Sequence, residues 1–179
     1  MSNLRLINET TITSGVSTVN IEDVFSAEYD VYKLVMSGMT TVGTLQTSPN
    51  FRFINSGGSV ISASNYDYAH EIYRADTTTP TEQSATNQAQ LYRFPGESVD
   101  QVPDDQGQVS YIFNPFDSSK YSFAIYESIV TAASLTLSMK GIGVLKQKAS
   151  MTGFQVIDSN ASRPFAGGQI KTYGLRVDS

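Results

Sequence analysis

Apolar residues in this chain recur at every second position far more often than at every third or fourth, and that spacing restricts it to a β architecture. The stretch Ser134 to Lys140 is the clearest case. Leu135, Leu137 and Met139 fall on one side of an extended chain, and Ser134, Thr136, Ser138 and Lys140 on the other. Such a stretch forms a strand with one buried and one wetted face. Beyond it the phase slips: Gly141 and Gly143 flank Ile142, and apolar residues resume at Val144. A β-bulge or sharp bend at the two glycines is the expected device. The same glycines do not make a phosphate loop, because the third glycine and the Lys-Ser/Thr ending are missing.

Other strands follow the same spacing. Tyr29 to Ser37 carries Tyr32, Leu34 and Met36 against Val31 and Val35, so both faces are apolar and a central position is expected. Val109 to Asn114 and Tyr121 to Tyr126 are separated by Asn114-Pro115 and Asp117-Ser118, residues that turn a chain. Phe51 to Ile54 and Met151 to Ile157 are two more. The last strand, Gly168 to Val177, sets Tyr173, Leu175 and Val177 against Ile170 and Thr172. Leu4 to Ile7, Val16 to Ile21, Tyr66 to Ala75 and Gln90 to Phe94 are weaker strands. Helix signals are sparse. Thr79-Pro80-Thr81-Glu82 has a capping residue, an early proline and a glutamate three places on, so a short surface helix or a loop is expected over Gln83 to Gln90. Pro95 to Gln108 reads as a second long polar connection. The expected fold is all-β, an antiparallel sandwich, jelly roll or barrel of eight to ten strands with little or no helix, in one domain over residues 1–179.

Composition narrows the chemistry. Cysteine is absent, which excludes disulfides and thiolate metal sites. Tryptophan is absent too, so nine Phe and ten Tyr supply the aromatic bulk. A net charge of −5, with 16% of residues charged, is a poor match to nucleic-acid phosphates. No apolar run reaches the roughly 20 residues of a membrane helix, and Met1 to Thr10 has no signal-peptide pattern. A soluble protein made without a cleaved signal is expected, and the sequons at Asn8 and Asn160 then read as chance matches.

No catalytic or cofactor signature stands out. The single histidine, His70, cannot build a two-histidine zinc site. No G-x-S-x-G elbow accompanies it, so it reads as an ordinary strand histidine. Asp100, Asp104 and Asp105, with Gln101 and Gln106, offer oxygens that calcium favours, but their spacing is not that of a helix-loop-helix calcium site, and a solvated acidic loop is the plainer reading. Tyr66, Tyr68, Tyr73 and Tyr92 lie in or beside polar stretches and form a candidate contact surface, since tyrosine pairs an apolar body with a polar tip.

The run Phe165-Ala166-Gly167-Gly168-Gln169-Ile170-Lys171-Thr172-Tyr173-Gly174-Leu175-Arg176 resembles the last strand of small tailed-phage virion structural proteins. Tyr29-Asp30-Val31-Tyr32-Lys33-Leu34 resembles their early strand, and Phe113-Asn114-Pro115 with Ser118-Ser119-Lys120-Tyr121 their mid-chain corner. The resemblance implies a jelly-roll-like sandwich on the virion, made in the host cytoplasm. It would serve as a head decoration, a neck or tail appendage or a fibre component, and would carry no catalytic residues. The expected partners are other virion proteins, capsid or tail and neck subunits, and further copies of the chain in a homo-oligomer, with a trimer as the expected number. The long loops, Asp76 to Gln90 and Pro95 to Gln108, are expected to make the contacts. The alternative is a carbohydrate- or receptor-binding adhesin module using the exposed tyrosines, with a glycan as ligand.

Overall fold

A chain rich in β-branched and aromatic residues satisfies its main-chain hydrogen bonds most readily by pairing extended segments. The computed structural model describes residues 3–13, 15–42, 47–94, 106–132, 135–158 and 163–176. Among them are eleven strands and no helix. They are β1 (Leu4–Ile12), β2 (Thr18–Ile21), β3 (Val31–Thr41), β4 (Pro49–Asn55), β5 (Tyr66–Arg74), β6 (Thr81–Gln88), β7 (Gln106–Phe113), β8 (Ser122–Ala132), β9 (Leu135–Leu145), β10 (Met151–Asp158) and β11 (Phe165–Leu175). Every pair is antiparallel. Eight strands make one sheet in the order β1-β11-β3-β7-β8-β9-β5-β6, and β2-β10-β4 make a second.

The pairing follows a jelly roll. The first strand lies beside the last and the last beside the third in one sheet. The second lies beside the penultimate and the penultimate beside the fourth in the other. Strands β8, β9, β5 and β6 then widen the first sheet well beyond the second. The expected central strand at Tyr29 to Ser37 is found as β3, which starts two residues later at Val31 and runs to Thr41, flanked by β11 and β7.

Aromatic rings join the sheets. Phe154 of β10 stacks on Phe51 of β4 at 5.2 Å, Phe51 meets Phe94 at 4.7 Å, and Phe94 meets Tyr126 of β8 at 4.7 Å. A second path runs from Phe154 through Phe25 to Tyr32 of β3. Phe25 is held there by main-chain bonds from Val24 and Phe25 to the Thr152 carbonyl. Each ring pair adds about 0.5–1.5 kcal/mol to the burial of its members.

Three expectations change. The first concerns Gly141 and Gly143, where the ladder on both sides of β9 is unbroken and no bulge forms. Both glycines stay on the inner face, in phase with Leu137, Met139 and Leu145. A Cβ at Gly141 would lie 2.7 Å from His70 Cβ, and one at Gly143 2.8 Å from Leu91 Cδ1. They are glycines because the inner space is already filled. The second concerns Thr81 to Gln88, which is the edge strand β6 and not a helix or loop. It is polar on both sides, which suits an edge. Pairing with β5 outweighs the capping signal at Thr79, and the Asp67 carboxylate, itself ion-paired with Lys146 at 2.8 Å, accepts the Asn87 N–H. The third concerns Gln90 to Phe94, which is no strand: Leu91 makes only an isolated bridge to Phe51. Most of the loop from Pro95 to Gln108, the acidic cluster at Asp100, Asp104 and Asp105, and the Asn160 sequon lie outside the described residues.

Gly174 shows the same tight fit. A Cβ there would sit 2.6 Å from Tyr29 Cγ. Gly107 is different, since its added Cβ would meet only Ile129 Cγ2 at 4.0 Å. Urea denaturation should therefore show Gly141→Ala and Gly174→Ala each losing about 1–3 kcal/mol. Gly107→Ala should be neutral or gain up to about 1 kcal/mol.

Candidate functional site

The second sheet packs on one face of the eight-stranded sheet, and strand alternation points half the side chains of that wide sheet the other way. On β8, Ser122, Ala124, Tyr126, Ser128 and Val130 are buried, while Phe123, Ile125 and Ile129 are 46%, 45% and 55% exposed. On β9, Ile142 between the two glycines is 59% exposed. Each of these four side chains would bare roughly 200 Å² in isolation, so together they present on the order of 400 Å² of apolar surface.

The strand register orders this outer face into rows. One row runs Leu4, Leu175, Val31, Phe113, Phe123, Val144 across six strands. The next runs Leu6, Tyr173, Lys33, Tyr111, Ile125, Ile142 and ends at Ala69 and Ser84. The third becomes charged at its far end, in the order Val109, Glu127, Lys140, Glu71, Glu82. The apolar side chains are interrupted at Lys33 and gathered most densely on β8 and β9, and an exposed apolar patch of this kind is often functional.

Part of the face is hollow. A groove of about 840 Å³ lies over β7, β8, β9, β5 and β6. Val109, Tyr111, Ile125 and Ile142 supply its apolar lining, and Glu71, Glu82, Glu127 and Lys140 its charges. Gly141, His70 and Tyr126 also line it, although the His70 and Tyr126 side chains are buried on the inner side, so their main chain forms the floor. The Lys140 ammonium lies 3.9 Å from Glu71. Its pKa is held above the usual range by the Tyr73 hydroxyl first, then by Glu71 and Glu127.

The four tyrosines singled out from the sequence do not form one surface. Tyr66 is fully buried. Its hydroxyl donates to the Ile61 carbonyl at 3.0 Å and accepts the Phe53 N–H at 2.9 Å, and burial pushes its pKa up. It belongs to the core. Tyr68 and Tyr92 are half-buried on the inner side, 6.1 Å apart, with His70 stacked on Tyr68 and the Arg93 guanidinium 5.2 Å from the Tyr92 ring. Tyr73 alone reaches the outer face, beside the groove, where its hydroxyl donates to Glu71. His70 is buried, with Gln83 Oε1 3.0 Å from Nε2 and the Tyr126 hydroxyl 3.3 Å from Nδ1. That is the setting of a structural strand histidine. Among the described residues no group of three His, Cys, Asp or Glu is placed to hold a metal ion, and no helix is long and apolar enough to cross a membrane.

The groove residues carried a sequence signal that pointed elsewhere. Ile142 and Val144 are apolar in the phase opposite to Leu137 and Met139. That change of phase suggests a bulge, but it arises because the outer face is itself apolar. No protein-family model, curated protein or solved structure matches this chain. Fold and surface together define an antiparallel β-sandwich with jelly-roll pairing and one open apolar sheet face.

Tyr66→Phe should cost about 1–3 kcal/mol in thermal or urea unfolding, because it strands a buried N–H and a buried carbonyl. Tyr73→Phe should stay within about 0.5 kcal/mol. The double variant Phe123→Ser, Ile142→Ser should lose no more than about 1 kcal/mol per site, and should bind a hydrophobic fluorescent dye several-fold less than the native protein.

Proposed function

We propose that this chain is a non-enzymatic virion structural module of a tailed phage. It docks on the particle exterior, as capsid decoration or as a neck or tail appendage, through the open face of its wide sheet. The observation that carries this reading is the pair of apolar rows spanning β1 to β9 on the side the small sheet leaves bare. A face of that size matches the largest apolar patch of a typical monomer, and such patches are often functional; a particle offers it a large, fixed partner. The resemblance supplies the particle. Two of the segments that carry the resemblance are neighbours in the fold, where the Tyr29 ring lies against Gly174. Shells and appendages repeat their parts, so several copies per particle, in a trimer or another closed ring, belong to the same reading.

Particles assembled without the protein provide the test. Added protein should bind them saturably at a defined position seen by electron microscopy, and the Phe123→Ser, Ile142→Ser variant should bind at least tenfold more weakly. Failure to bind any part of the particle would sink the proposal. Saturable glycan binding abolished by Tyr92→Ala would replace it with the adhesin reading.

A further inference from the structure

The open face is not uniform, and its hollow part names its own occupant. Three carboxylates, Glu71, Glu82 and Glu127, line the groove against one ammonium, Lys140. The strand register places Glu71 directly opposite Glu82, and like charges so placed repel. Lys140 lies in register between Glu127 and Glu71. Glu82 has no ion-pair partner among the described residues. The carboxylate row runs beside the apolar row of Tyr111, Ile125 and Ile142. The groove therefore offers a strip of apolar surface edged by uncompensated negative charge.

We propose that this groove takes an extended peptide segment of a partner protein in which apolar and basic residues alternate. An extended chain laid across the strands directs successive side chains to opposite sides. One set would cover Tyr111, Ile125 and Ile142, and the other would reach the carboxylates. The size agrees: five strands span roughly 19 Å, the length of about six extended residues, and about 840 Å³ is ample for their side chains on one surface. A second copy of this chain fits poorly, because it would bring an identical hollow and identical carboxylates to the contact, and like charges across an interface are costly. Nucleic acid and anionic lipid are repelled by the same carboxylates. The inference rests on the docking role of the open face, and it specifies the chemistry of what docks.

The test uses blocked hexapeptides with the full chain. One alternates arginine with valine, one glutamate with valine, and one arginine with glycine. Backbone-amide NMR shifts should show saturable binding of the first, at least tenfold tighter than of either control, with shifts concentrated on β5, β8 and β9 and weakened by added salt. The double variant Glu82→Gln, Glu127→Gln should weaken that binding at least tenfold. Its unfolding midpoint, measured alongside, should be unchanged. Equal binding of all three peptides, no saturable binding, or shifts confined to other strands would overturn the inference. The Gln double variant also separates the two proposals. If it docks on particles as tightly as the native protein, the groove assignment fails while the virion reading stands. If the arginine–valine peptide binds as expected but no particle does, the groove assignment stands and the virion reading falls.

Discussion

The run of rings from Phe154 through Phe51 and Phe94 to Tyr126, with its branch through Phe25 to Tyr32, is the contact on which the rest of this molecule depends. It is the main bond between a three-stranded sheet and an eight-stranded one. The chain has neither disulfide nor tryptophan to assist it. Phenylalanine suits the task because it brings a large apolar area with no polar atom to satisfy. Where tyrosine is used, the fold supplies partners: Tyr66 bonds to Phe53 and Ile61, and Tyr32 bonds to Ser26.

That seam has a geometric consequence. Three strands cover only part of one face of eight, so loops and single residues such as Leu91 and Phe94 complete the interior. The inner surface of β9 is then crowded enough to exclude Cβ atoms at Gly141 and Gly143. Among the described residues, no second layer covers the other face of the wide sheet. Its apolar rows and its acidic groove follow from one arrangement: a core sealed on one side, and a sheet widened by β8, β9, β5 and β6 past what a jelly roll requires.

The strands were legible where only one side of the chain had to satisfy an apolar environment. Leu135 to Lys140 and Ile170 to Thr172 follow a period of two because burial on one face forces it. Apolar residues on both faces mark a central strand at β3, but at β9 the same pattern is ambiguous. Ile142 and Val144 looked like a slipped register because a sequence does not say which face is core and which is contact surface. Thr81 to Gln88 failed for the opposite reason. An edge strand that is polar on both sides carries no periodicity, and its identity comes wholly from β5 beside it. The candidate site was legible only in part. Tyr73 is beside the groove, but Tyr66 is core: both lie in β5 on opposite faces, and spacing alone does not say which face is buried.

By itself, the sequence determined that this chain must be an antiparallel β protein, that aromatic packing must replace disulfides and tryptophan, and that β3 sits centrally in a sheet. Those properties follow from residue type and spacing along the chain. The tertiary structure decided which sheet each strand joins, how far the larger sheet outgrows the smaller, and that Glu71, Glu82 and Glu127 come together beside Ile125 and Ile142. These residues are brought into one groove by non-local pairing of β5, β6, β8 and β9. That pairing depends on the whole set of strands finding a common core, which no local stretch of sequence encodes.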